Sequence, residues 1–379
     1  MAKKLLTVLL LLVHVVYADF EYKINNSNFT ISQGSIFPNE DETYIYNYNR
    51  LRFRGDYTDN GFFSTVITDG VNYFGNEFID SNTFEYIKHI KSDTPYKTKT
   101  NDGSLHAKVY RLYGGYEDNK NRLVIGLQNI SMGVGRIWTP TNLFNPKNSY
   151  ALEPDEVFGV AALSYTRHIS DTSHVSIVLS QKEDDSFKYL ARYKAFLGFG
   201  DVAVNLISSK ETKMIGYEIE ANLGDTGVEV RSEGAYLKNK LLHVDLKERD
   251  EEFFQGIVGA DYGFESGVTI VVEALYSSEK FSYEEILLNI ESEALSNLLY
   301  SNFYMGTSLS YSFTLFLDGS FSFIESFNDK NSRFIAPSLT YTLNDFNSFK
   351  VGALIQNGAN NSEFGMNPNS YYFNYSFSF

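Results

Sequence analysis

Residues 303 to 313 read FYMGTSLSYSF, with Phe303, Met305, Thr307, Leu309, Tyr311 and Phe313 on one side of an extended chain. Tyr304, Gly306, Ser308, Ser310 and Ser312 fall on the other. Successive side chains of a strand point to opposite faces, so a period of two fits a strand and no helix. The pattern recurs almost throughout. Residues 187 to 197 set Phe187, Tyr189, Ala191, Tyr193, Ala195 and Leu197 against Lys188, Arg192 and Lys194. Near residue 50, Leu51 and Phe53 alternate with Arg50, Arg52 and Arg54. The last residues, SYYFNYSFSF, carry Tyr371, Phe373, Tyr375, Phe377 and Phe379 on one face and Tyr372, Asn374, Ser376 and Ser378 on the other. Each run is about ten residues, the length of a tilted strand crossing a bilayer.

A β-sandwich or solenoid also alternates apolar with polar, but its strongest hydrophobics would be aliphatic. Here the long strands are aromatic-rich at their ends and their polar faces hold serine, glycine and charge. Seventeen such segments lie between residue 46 and the C-terminus, and the connections between them alternate long and short. Long ones fall at 70–103, 131–156, 182–186, 238–251, 277–301, 326–332 and 357–369; only a break near Lys210 is out of pattern. Tight turns on one rim and long loops on the other are what an outer-membrane barrel requires. With both chain ends on the short-turn side, parity demands one further strand, placed within 20–32. The expectation is an all-β, antiparallel transmembrane barrel of eighteen strands, with sixteen as the alternative. Closure leaves no unpaired backbone facing lipid.

The first residues point to export, and composition narrows the partners. Lys3 and Lys4 precede an apolar run from Leu5 to Val16, and Val16-Tyr17-Ala18 offers a cleavage site, so residues 1–18 read as a signal peptide and 19–379 as one barrel. Without Lys3 and Lys4, the 32 basic residues fall to 30 against 47 acidic ones, a balance that argues against nucleic acid as a partner. There is no cysteine, hence no disulfide framework and no cysteine metal site.

If the aromatic faces look at lipid, the opposite faces line the interior. Arg50, Arg52, Arg54, Lys188, Arg192, Lys194 and Lys350 then point inward, as do Glu218 and Glu220 and, on the same logic, Glu229, Glu233 and Glu273. A Lys or Arg on the lipid face near the midplane would cost roughly 2–4 kcal/mol. Pairing across neighbouring strands is the plainer role for these charges; lining a pore is the functional one. The stretch GVGRIWTPTNLFNPKNSYALEPDE, residues 133 to 156, holds the only tryptophan, Trp138, and three of seven prolines. By parity it is an external loop. It either caps the rim or folds inward to narrow a channel, with Arg136, Trp138, Asn142, Asn145 and Asp155 as candidate constriction residues. Ser282 and Glu285 have capping-box spacing, and Tyr283, Leu287, Ile290, Ala294 and Leu298 recur at helical intervals, predicting one short helix in the loop 277–301.

Together these features resemble Gram-negative outer-membrane β-barrels of the porin type, and the resemblance spans essentially the whole chain after residue 18. The segment Arg136-x-Trp138-x-Pro140 … Phe144-Asn145-Pro146 is similar to one in a group of porin-like barrels. The resemblance implies residence in the outer membrane among its lipids, and passive passage of small hydrophilic solutes. It also implies recognition of the terminal strand by the barrel-assembly machinery, with Tyr375, Phe377 and Phe379 as the matching residues. Homo-oligomerisation stays open, and so does a substrate-selective or plugged channel, for which residues 19–45 could supply the plug. No G-x-S-x-G, H-E-x-x-H, phosphate loop or dinucleotide fingerprint occurs, so neither a catalytic site nor a metal or other cofactor is expected. An adhesin or an outer-membrane enzyme is the remaining reading; His168 and His174 flank a tight turn on the wrong side for outer-leaflet substrates.

Overall fold

The last strand pairs with the first. In the computed structural model Ser370–Ser378 runs antiparallel to Asp19–Gly34, with Asn25 opposite Ser378 and Gln33 opposite Ser370. Phe379 completes the seam: its N–H donates to the Ile24 carbonyl and its carbonyl accepts from the Ile24 N–H, both at 2.8 Å. The structure describes residues 19–37, 40–90, 97–99, 104–182, 184–289, 292, 300–327, 331–359 and 362–379. The expected signal peptide lies outside them.

The strands follow in chain order. β1 is Asp19–Gly34, β2 Thr43–Asp59, β3 Phe62–Phe74, β4 Lys97–Lys99, β5 Leu105–Glu117 and β6 Asn121–Gln128. Next come β7 Val160–Ser170, β8 Ser173–Gln181, β9 Phe187–Phe196, β10 Asp201–Ser208, β11 Thr212–Asn222 and β12 Val228–Leu242. The chain closes through β13 Glu248–Gly263, β14 Thr269–Ser277, β15 Phe303–Ser312, β16 Leu317–Phe327, β17 Ser332–Asn344, β18 Asn347–Asn357 and β19 Ser370–Ser378. With β4 left aside, each strand pairs with the strands before and after it, so that β3 pairs with β5, and β1 joins β2 to β19, which makes a closed antiparallel barrel of eighteen strands. β4 is an addition to the edge of β5 beyond the end of β6. The sixteen-strand alternative is set aside. The break near Lys210 is a tight hairpin on the long-loop rim, closed by the Ser209 N–H donating to the Thr212 carbonyl at 2.7 Å.

Among the described residues three α-helices lie in the loops: α1 Asn76–Ile79, α2 Asn82–Ile90 and α3 Tyr283–Leu288. At α3 the capping box is formed, Ser282 Oγ accepting from the Glu285 N–H and Glu285 accepting from the Ser282 N–H. Its expected continuation through Ile290, Ala294 and Leu298 lies outside the described residues. No helix among the described residues is long and apolar enough to cross a membrane.

Alternation assigns the faces. Ile177, Tyr189, Leu206, Val258 and Phe373 are exposed on the outside. The inner faces change character along their length. Toward the short turns they are polar, with Ser308, Ser310 and Ser320. Toward the long loops they are apolar: Tyr44, Tyr46, Leu237, Phe253, Leu275, Tyr304 and Phe334 are inward and buried. A water-filled lumen would leave those rings wet. They are dry because loops fold down onto them.

Candidate functional site

The connection 129–159 between β6 and β7 enters the barrel instead of capping it. Its first arm lies against the wall formed by β11 to β14, where three inward carboxylates receive its backbone. Glu233 accepts from the N–H groups of Val134 at 2.8 Å, Gly135 at 3.1 Å and Thr141 at 2.7 Å, and from the Thr141 hydroxyl at 2.7 Å. Glu273 accepts from the N–H groups of Arg136 at 2.9 Å, Ile137 at 3.1 Å and Trp138 at 2.8 Å. Glu218 accepts from the Gly133 N–H at 3.1 Å, from Asn205 at 2.6 Å and from Arg192 at 2.5 Å. Hydrogen bonds to charged groups are worth about 1.5–3 kcal/mol each, and here, with Arg192 beside Glu218 and Arg231 4.0 Å from Glu273, they offset the cost of burying the carboxylates.

Local sequence makes the approach close enough. Gly133 has φ +91°, and a Cβ there would lie 2.7 and 2.8 Å from the Glu233 carboxylate oxygens. Two wall glycines leave room for the loop's side chains. A Cβ on Gly306 would stand 2.5 Å from Ile137 and 3.0 Å from the Trp138 ring, and one on Gly216 would stand 2.7 Å from Thr141. Trp138 is fully buried beside Tyr304, and its Nε1–H donates to the Tyr150 hydroxyl at 3.0 Å. Ile130, Met132, Leu143 and Phe144 pack on Leu190, Ile207, Met214 and Leu237, which accounts for the apolar inner face of the outer half.

The second arm is held by the opposite wall. Arg50 donates to Glu153 at 3.0 and 2.7 Å and lies 3.1 Å from Glu156. Arg52 donates to Asp69 at 2.7 and 2.8 Å and to Glu156 at 2.9 and 2.8 Å. Burial alone would raise the Glu156 carboxyl, but Arg52 and Arg50 more than offset it and hold it below the usual carboxylate range. Arg111, which the alternation did not single out because a bulge at Ile67/Thr68 shifts its register, donates to the Val157 carbonyl at 2.7 Å. The loop therefore spans the lumen, with its backbone on acids and its own acids on arginines.

The remaining predicted residues are placed as follows. Arg54 pairs with Asp56 at 2.5 Å, and Lys194 with Asp201 at 2.9 Å. Lys188 donates to the Leu143 carbonyl at 2.8 Å and sits 4.5 Å from the Phe144 ring. Arg136 is half exposed in the lumen, donating to Glu220 at 3.1 Å and Glu229 at 2.7 Å. Asn142 and Asn145 brace the loop internally, and Asn145 reaches the Phe158 carbonyl at 2.5 Å. Lys350 is inward, 6.0 Å from the Tyr372 ring. Asp155 faces solvent, 92% exposed, 3.7 Å from Lys147, and takes no part in the anchoring. Tyr375 faces outward and its hydroxyl donates to Asn347 at 2.5 Å. Residues 362–369 of a second loop seal one side: Phe364 packs on Tyr150 and Phe334, and Glu363 is buried with them.

No protein-family model matches the chain, and no curated protein matches it in sequence. Solved structures do. OccAB1 of Acinetobacter baumannii superposes with a TM-score of 0.67 at 11% identity over 95% of this chain and 96% of that one. A BenF-like porin from Pseudomonas fluorescens Pf-5 gives 0.63 at 8% identity, covering 95% and 98%. The outer membrane protein opdK from Pseudomonas aeruginosa gives 0.62 at 8%, with the same coverage. The chain has the fold of porin-type outer-membrane barrels.

Proposed function

We propose that this protein is an outer-membrane channel for passive diffusion of small hydrophilic solutes. The observation that carries the reading is the loop 129–159, pinned across the lumen at both ends, in a barrel whose other half keeps a polar interior. An adhesin or an anchor would need no such internal strut. Arg136 with Glu220 and Glu229, and the arginines of β2 with Glu153 and Glu156, form the charged edge that a permeating solute meets. Because each of these arginines carries its own counter-charge, the charged edge distinguishes weakly between anions and cations, and size sets the limit. The OccAB1, opdK and BenF-like structures support the channel reading through the shared fold.

The test is reconstitution. Purified protein in planar bilayers gives discrete conductance steps, and proteoliposomes swell with small sugars and not with large ones. Absence of both from heat-modifiable, folded protein contradicts the reading. Phe377 and Phe379, with Tyr375, are assigned to recognition by the assembly machinery; the seam of β19 with β1 is the last pairing closure requires.

A further inference from the structure

The hairpin of β7 and β8 carries a histidine pair that takes no part in holding the inward loop. His168 and His174 stand opposite one another in register, on either side of the tight turn. Both face the lumen. Their row continues to Lys194 of β9, and the next inward row joins Thr166, Ser176 and Arg192. Arg192 reaches inward to Glu218, whereas Ile169, on the opposite face of β7, is exposed on the outside. Short turns mark the periplasmic rim, so the pair sits at the inner mouth of the barrel.

The two rings are close enough to share one ion. Their centroids are 5.6 Å apart. A metal about 2.0–2.1 Å from an imidazole nitrogen lies roughly 3.2 Å from the ring centre, so two rings can share it when their centres are within about 6.4 Å. Cross-strand contacts brace the pair on both sides. The hydroxyls of Thr166 and Ser176 are 2.8 Å apart, and those of Ser170 and Ser173 are 2.7 Å apart. Among the described residues neither imidazole makes a side-chain hydrogen bond, which leaves the ring nitrogens of both open to a ligand. The cations on β9 each have their own counter-charge: Lys194 pairs with Asp201 at 2.9 Å, and Arg192 with Glu218 at 2.5 Å.

The geometry points to a metal site in which the imidazoles of His168 and His174 bind one late first-row divalent ion, of the Zn²⁺, Ni²⁺ and Cu²⁺ class. Imidazole suits these ions, while Mg²⁺ and Ca²⁺ prefer oxygen. Water from the lumen completes the shell, and the partly exposed carboxylate of Asp201 supplies negative charge nearby. The spacing His168-x5-His174 fits no zinc signature written on a helix; the register of this hairpin is what pairs the rings. An ion held there stands at the inner exit of the bore. The site rests on the hairpin and needs no current through the lumen.

Tag-free barrel, shown to be folded by heat-modifiability, would be titrated with Ni²⁺ in a calorimeter at about pH 7.5, where imidazole is largely neutral. A single ion per chain is expected. His168→Gln and His174→Gln should each weaken binding by about tenfold or more, since losing a ligand costs at least what losing a ligand's support does. His243→Gln should keep wild-type binding, because His243 lies in the long loop after β12, between Glu251 and Glu285 at 2.9 Å each. At about pH 5 the wild-type affinity should fall, as protons compete for the nitrogens. No binding to the wild type, unchanged affinity in both lumen variants, or loss in His243→Gln alone overturns the assignment. A measurement that needs no variant is electron paramagnetic resonance of the wild type with stoichiometric Cu²⁺. Two imidazole nitrogens on the ion are expected; one or none overturns the site.

Discussion

At the scale of single residues, Glu233 is the side chain on which most of the inward loop depends, because four donors converge on its carboxylate. Glu233→Ala orphans all four, a change worth about 3 kcal/mol or more in the local stability of the loop. Single-channel conductance should rise and its open-state noise should grow. Gly133→Ala should act in the same direction, since its Cβ would overlap the Glu233 carboxylate, while a structurally neutral change on the rim leaves conductance unaltered. Glu363 gives a pH dependence. Burial pushes its carboxyl up to about 8. A released loop would ionise near the ordinary carboxylate value while the packed one stays neutral. Docking of 362–369 is therefore strongest below about pH 4.5 and weakens by about 1.4 kcal/mol per unit until the pH passes 8. Limited proteolysis between pH 5 and 9 should show the loop becoming cleavable as pH rises, and Glu363→Gln should flatten the profile. Such roles were only half legible in the sequence. Alternation alone puts Glu218, Glu233 and Glu273 on the inner face. It cannot say that their partners are the N–H groups of a segment some hundred residues away, although GVG glycines facing an acid-rich wall were the available signal.

At the scale of elements, the strands were readable because lipid on one side enforces apolar residues at every second position, and the turns were readable because the short rim tolerates only tight connections. The inner faces were not. Leu237, Leu241 and Phe253 point inward at the long-loop end, where alternation predicts polar groups, because loop 129–159 and Phe281 supply an interior that a strand pattern does not encode. The hairpin at Ser209 looked anomalous for a similar reason: a long-loop rim may still carry a tight turn. The seam between β1 and β19 makes a separate prediction. Removing Phe379 deletes both of its backbone hydrogen bonds to Ile24 and the outward ring beside Phe346. The fraction of chain recovered as a heat-modifiable barrel should fall sharply, and Phe379→Tyr should restore it. Equal yields from the deletion and the wild type would separate the terminal residue from assembly.

At the scale of the whole molecule, the fold is a closed wall with a strut across its bore, and the strut's two attachments have opposite electrostatic consequences. Arg50 and Arg52 neutralise Glu153 and Glu156, so replacing them with neutral residues exposes acids to the lumen and frees the second arm. In a potassium chloride gradient the reversal potential of Arg50→Ala with Arg52→Ala should move toward cation preference, with a larger conductance than wild type. A shift toward anions would mean that the arginines were not paired with the loop. In the proposed channel, residues 129–159 narrow a conducting barrel from within. Single-channel recording of the wild type beside Glu233→Ala with Glu273→Ala tests it most directly. Small, discrete steps are expected from the wild type and clearly larger ones from the double variant, both folded. Silence from both, or identical conductance in the two, would contradict it.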